Sequence, residues 1–209
     1  MTTKRLAVLS AGLSQPSSTR LLADRLADAT VARLRDVHGV EAEVSVIELR
    51  DIARDVTNNL ITGFPSPTLE TSIEKVTGAD GLIAVSPIFS ASYSGLFKSF
   101  IDVLDPKSLE GMPVLLGATG GSPRHSLALD HALRPLFSYL HAVAVPTGVY
   151  AAAEDWGSVS DSVRPLPDRI ERAASELAPL IAASDRSQHM RDAFALDAGF
   201  SVTGGFSAQ

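Results

Sequence analysis

Five hydroxyl side chains crowd into ten residues, Ser10, Ser14, Ser17, Ser18 and Thr19 of Ser10-Ala11-Gly12-Leu13-Ser14-Gln15-Pro16-Ser17-Ser18-Thr19. The stretch follows Leu6-Ala7-Val8-Leu9, a short apolar run that reads as a buried parallel strand. It leads into Arg20-Leu21-Leu22-Ala23-Asp24-Arg25-Leu26, a helix-forming run. Hydroxyls beside the free amides and positive dipole end of a helix suit a phosphate. The plainer reading is an N-cap by Ser17 or Ser18, but a cap needs a single hydroxyl, and the crowding favours the anion site.

Two further stretches could do chemistry. Ser86-Pro87-Ile88-Phe89-Ser90-Ala91-Ser92-Tyr93-Ser94-Gly95-Leu96-Phe97-Lys98 reads as a loop that places Phe89 and Tyr93 where a flat ring could stack. Its small residues let the backbone approach a ligand; the alternative is that the aromatics fold back onto the core. Ala118-Thr119-Gly120-Gly121-Ser122-Pro123-Arg124-His125 carries paired glycines that permit a sharp turn and present amides, as a carbonyl-rich heterocycle requires. A plain turn is the alternative there.

Several chemistries find no support. No G-x-G-x-x-G follows a strand, and there is no Walker A motif and no H-E-x-x-H. Ser94-Gly95 lacks the leading glycine of a hydrolase nucleophile elbow. The five histidines show no metal-ligand spacing, and the absence of cysteine excludes disulfides and thiolate chemistry.

The elements that must position these loops alternate. Strands are expected at 6–9, 42–49, 81–85, 113–117 and 143–151, the last interrupted by Pro146. Helices are expected at 18–36, 68–77, 95–104, 129–140 and 167–183. Pro135 cannot donate to the carbonyl of residue 131, so the fourth of these helices should loosen or bulge at His131. Residues 50–67 read as a long connection, with a short helix at its start and Asn58-Asn59 and Gly63-Phe64-Pro65-Ser66-Pro67 as loop. Such alternation implies an α/β fold with a parallel sheet covered on both faces. In strand order 2-1-3-4-5, the loops after the first, third and fourth strands converge beyond the carboxyl ends of the strands, where ligands bind.

At 209 residues, with 45% hydrophobic and 20% charged side chains, the chain fits one folded domain over 1–184 followed by a Gly/Ser/Ala-rich tail at 185–209 containing Phe194, Phe200 and Phe206. A net charge of −6 argues against a nucleic-acid or membrane-surface binder. No apolar run reaches the ~20 residues of a membrane helix, and no signal-peptide core precedes the first strand. A cytoplasmic protein is expected.

Read together, the loops resemble the flavodoxin-like NAD(P)H-dependent FMN reductase family. Residues 87–98 are similar to its P-x-(aromatic)-x-x-S-(aromatic)-S-G-x-x-K signature. Ala118-Thr119-Gly120-Gly121-Ser122, with His125, Ala128, Asp130, Ala132, Leu133, Arg134 and Pro135, resembles the segment found in the branch that supplies reduced FMN to two-component monooxygenases. The likeness spans Leu6 to Ala152. It implies a flavodoxin-like three-layer α/β/α sandwich with a five-stranded parallel sheet. It further implies that Ser10, Ser14, Gln15, Ser17, Ser18 and Thr19 hold the FMN phosphate, while Pro87, Ile88, Phe89, Ser90 and Ser92 line the isoalloxazine and ribityl chain. Thr119, Gly120, Gly121 and Ser122 then meet the ring's polar edge. Many members carry an arginine in the first loop, where this chain has Gln15; Arg20 is a substitute. Lys98 is expected to pair near its helix start.

The activity implied is hydride transfer from NADPH or NADH to FMN, with no side-chain acid or base demanded. The partners implied are a second or third and fourth copy of the chain, in a homodimer or homotetramer, and a flavin-dependent monooxygenase. An FMN-bound quinone or azo reductase, or an electron-transfer flavodoxin, remains open on the same fold. The residues do not choose between NADH and NADPH, since Arg124 could meet a 2′-phosphate or stand solvated.

Overall fold

The central strands are apolar because both their faces are covered. In the computed structural model, which describes residues 3–157 and 165–186, β1 (Thr3–Ser10) lies between β2 (Glu41–Glu48) and β3 (Gly81–Phe89), and β5 (Pro113–Gly120) follows β3. All of these neighbours pair in parallel. The far edge is shared by two short strands, β6 (Val143–Ala144) and β7 (Val149–Ala152), both parallel to β5. The expected fifth strand is therefore split around Pro146, which has no N–H to give to a ladder. The order expected from the sequence holds, with β5 as its fourth strand and β6 and β7 as its fifth.

Alternate residues feed two cores, as a period of two requires. Ala7, Leu9, Leu82, Ala84, Val114 and Leu116 face Phe97, Phe100, Phe137, Leu69 and Val76. Leu6, Val8, Ile83, Val85 and Leu115 face Leu22, Leu26 and Leu34 of α1 (Ser18–His38) and Ile170, Leu177 and Ile181 of α6 (Leu166–Ala183). The first face carries α3 (Pro67–Thr77), α4 (Gly95–Asp102) and α5 (Arg134–Tyr139). Phe97, Phe100 and Phe137 are fully buried, and truncating any of them to alanine should cost about 3–5 kcal/mol.

Two stretches differ from expectation. Residues 50–67 are mostly helical: a 3-10 turn at Leu49–Ile52 runs into α2 (Ala53–Thr62), which includes Asn58 and Asn59 and ends at Gly63 in the left-handed region. Asparagine's weak propensity is overridden by tertiary packing through buried Leu49, Ile52 and Val56. Residues 86–94 are not a simple loop. β3 runs on through Pro87 to Phe89, turns at Ser90 and Ala91, and returns as β4 (Ser92–Tyr93) in an antiparallel hairpin.

The bulge at His131 is present. Leu129–Leu133 is a π-helical turn, and the Arg134 N–H reaches back five residues to the Leu129 carbonyl. A wider turn accommodates the donor that Pro135 lacks. Phe194, Phe200 and Phe206, and residues 187–209 generally, lie outside the described residues. Asp185 and Arg186 are described, and Arg186 donates to the carbonyls of Glu110 and Ser108.

Candidate active site

The α1 amino terminus is fixed first. Ser17 Oγ accepts from the Arg20 N–H at 3.2 Å, which makes Ser17 the N-cap and commits its hydroxyl to the helix. A Cβ on Gly12 would collide with that Oγ, so only glycine lets the loop fold this closely over its own cap. Ser18 and Thr19 occupy the first helical positions. Thr19 Oγ1 and Thr119 Oγ1 lie 2.8 Å apart, both side chains buried, and this hydrogen bond joins the start of α1 to the end of β5.

The β5 end is shaped by Tyr150 on β7. Its hydroxyl donates to the Ser122 carbonyl at 2.8 Å, and a Cβ on Gly120 would strike it. Burial, with the nearby Asp155 carboxylate, pushes the Tyr150 phenol up, so it keeps the proton it donates. Ser122 caps the short 3-10 turn Pro123–His125 by accepting from the Arg124 N–H.

The hairpin closes the other side. Ser86 Oγ accepts from the Ser94 N–H at 2.9 Å, and Ser94 Oγ in turn caps α4 by accepting from the Phe97 N–H. Ser90 and Ala91 both have positive φ, 48° and 67°, so the turn stores backbone strain at the rim. Lys98 pairs, but with Asp102 at the far end of α4 rather than near the helix start.

Between these three structures lies a cavity of about 520 Å³ at the carboxyl ends of the strands. Ser14, Ser18 and Thr19 line it from the first loop, Pro87, Ile88 and Phe89 from β3, and Thr119, Gly120 and Gly121 from β5. The other expected residues stand around it. Ser10 is buried behind the first loop, its Oγ without a hydrogen-bond partner among the described residues. Ser17 is the cap, Gln15 and Ser90 are exposed, Ser92 is paired with Phe89 across the hairpin, and Ser122 lies just past the lining. Exposed Arg124 does not line the cavity.

Sequence reasoning missed four residues here. Leu13 lines the cavity beside Ser14, and Ala153 and Trp156 reach it from the 3-10 turn after β7. That turn is pinned by Asp155, which accepts from the Ala152 N–H and pairs with Arg169 of α6. The Arg25 guanidinium lies 5.1 Å from the Trp156 ring centroid, a cation–π contact. That the chain has a single tryptophan, in the short polar stretch that follows a strand, was the available signal. The fourth is Arg50, whose Nη1 donates to the Ser14 carbonyl at 3.4 Å. With the Gln15 amide turned so that its oxygen faces the guanidinium, Arg50 Nη1 also donates to it at 3.0 Å. Arg20, the substitute cation expected from the sequence, is spent on Asp24 at 2.7 Å and Glu48 at 2.6 Å.

Among the described residues, no group of three or more His, Cys, Asp or Glu side chains is placed to hold a metal ion. None of the described helices is long and apolar enough to cross a membrane. The donor set of the cavity, hydroxyls and helix-start amides at one end and glycine amides at the other, fits a phosphate-bearing ligand with a polar-edged ring.

Fold and site define a flavodoxin-like α/β protein with a ligand cavity at the carboxyl edge of its sheet. A family model described as NADPH-dependent FMN reductase matches residues 4–157, and the chain belongs to that family. It is 41% identical over 177 residues to the NADH-dependent FMN reductase SfnF of Pseudomonas fluorescens, spanning 84% of this chain and 91% of the relative. It is 38% identical over 176 residues to an FMN reductase (NADPH) of Pseudomonas aeruginosa, with the same coverage of 84% and 91%. The crystal structure of an oxidoreductase from Corynebacterium diphtheriae superposes with a TM-score of 0.84 at 46% identity, covering 88% of this chain and 100% of that one. The protein is an NAD(P)H-dependent FMN oxidoreductase.

Proposed function

We propose that the cavity is the FMN site, with the phosphate against the first loop and the ring between the β3–β4 hairpin and the β5 end, and that reduced FMN leaves it for a flavin-dependent monooxygenase. The observation that carries this reading is a single cavity lined from all three polar loops, with hydroxyls at the helix start and glycines at the β5 end. Bound FMN would supply the hydride acceptor, N5 of the ring.

The chain's own residues then do three things. Ser14, Ser18 and Thr19, with the first amides of α1, bind and orient the anionic end. The backbone N–H groups of Gly120 and Gly121, which line the cavity, would donate to negative charge that develops on the ring's polar edge. Pro87, Ile88, Phe89 and Trp156 give apolar walls that exclude water and hold the ring flat for a nicotinamide to stack in near-attack contact. The lining includes no acid or base, in keeping with a transfer that needs none.

Release to a partner requires modest affinity, and the lining holds hydroxyls and amides but no cation. A homodimer or homotetramer belongs to the same reading, and it is supported by Leu127 and Tyr139, exposed on either side of the π turn in sequence. Anaerobic NADH and NADPH oxidation with FMN, FAD and riboflavin as acceptors tests the activity. Retention of FMN through gel filtration with sub-nanomolar dissociation would sink the transfer to a monooxygenase.

A further inference from the structure

Two arginines flank the first loop, and one carboxylate holds both. Glu48, the last residue of β2, accepts from Arg20 Nη1 at 2.6 Å through Oε1, while its Oε2 lies 3.4 Å from Arg50 Nε. Arg20 also pairs with Asp24, and Arg50 Nε lies 3.4 Å from Asp51. Two guanidinium charges are thus set against three carboxylates, a local balance of −1 directly beside Ser14, Gln15 and the start of α1. The Arg50 and Glu48 side chains are only 18% and 21% exposed, so solvent screens their charges incompletely. Arg50 nevertheless reaches the loop, donating through Nη1 to the Ser14 carbonyl at 3.4 Å. A protein selected only for tight anion binding would leave those two cations facing the loop without a shared counter-charge.

We propose that Glu48 is a positioning residue that tethers and neutralises Arg20 and Arg50 beside the phosphate loop, and thereby sets FMN affinity low enough for exchange. This inference rests on the first loop being the phosphate end of the FMN site. Its signature is discrimination between FMN and riboflavin, which differ by the phosphate alone. Removing the Glu48 charge strengthens the positive potential at the loop and acts on FMN only. Removing the Arg50 charge acts in the opposite direction.

The test is flavin-fluorescence titration of wild type, Glu48→Gln and Arg50→Met with FMN and with riboflavin, at low and at high salt. Glu48→Gln keeps an acceptor for Arg20 and should tighten FMN about three- to ten-fold, with riboflavin unchanged and a steeper salt dependence. Arg50→Met should loosen FMN by a similar factor, again with riboflavin unchanged. Glu48→Gln binding FMN no more tightly than wild type overturns the proposal, as does an equal effect of either variant on both flavins, the mark of a merely structural cluster. If Glu48→Gln fails to fold by circular dichroism, Arg50→Met alone decides, because an unchanged FMN-to-riboflavin ratio refutes the charge argument. Wild type that binds both flavins equally would instead refute the placement of the phosphate.

Discussion

The hydrogen bond between Thr19 and Thr119 should be measurable as a coupling between two residues a hundred positions apart. Both side chains are buried, at 2% and 3% exposure, and the hydroxyls are 2.8 Å apart. Replacing Thr119 by valine leaves the Thr19 hydroxyl without its protein partner, at a cost of about 1–3 kcal/mol; Thr19→Val does the same to Thr119. Replacing both removes the orphaned group, so the double variant should lose clearly less than the sum of the singles, with a coupling of about 1 kcal/mol or more. For a domain of this size each kcal/mol lowers Tm by about 2–4 °C. Urea denaturation of the four proteins, read by circular dichroism, closes the cycle. Additivity within about 0.5 kcal/mol would refute the bond as a structural tie between α1 and β5.

Other consequences are equally accessible. Gly120→Ala drives a methyl into Tyr150 Oη and should cost about 1–3 kcal/mol in thermal denaturation, and adding Tyr150→Phe should recover part of that loss. Trp156 lines the cavity, so FMN should quench the chain's single tryptophan; unchanged emission on saturation would move the flavin elsewhere. Burial pushes the Glu176 carboxyl up, but bonds from the Thr147 hydroxyl and N–H and from Arg172 outweigh it and hold the group below the usual carboxylate range. That contribution is fully present above the unfolded carboxylate value and lost as pH falls through the lowered folded one. The stability gap between wild type and Glu176→Gln should therefore close in that acidic window, and a gap that persists below it would show that the charge is not what matters.

The sheet was legible because Leu82-Ile83-Ala84-Val85 and Val114-Leu115-Leu116 are apolar without interruption, a pattern tied to burial on both faces. The π turn was legible for a local reason too, since Pro135 removes a donor whatever the surroundings. The hairpin at 86–93 was not. Its turn residues, Ser90 and Ala91, are not the glycine or asparagine that usually mark a two-residue turn, and Pro87 breaks the strand pattern. The start of α2 was legible as a short helix, but its continuation through Asn58-Asn59, residues of weak helix propensity, was not. Within the site, Ser14, Ser18 and Thr19 could be found from their crowding. Nothing in the spacing of Arg50 or Glu48 announces that β2 ends beside that loop; the sheet order brings them there.

The turn at Ser90 and Ala91 also bears on how the cavity rim could be altered. Side chains in the left-handed region hold a part of the chain in a geometry they do not favour, so this edge sits near the point where small changes in sequence change its rigidity. An Asn-Gly pair in the same two places would adopt that geometry at ease, stiffening the rim without touching a single lining residue. The rigidity of the rim beside Phe89 can therefore be adjusted, by evolution or by an engineer, from outside the pocket.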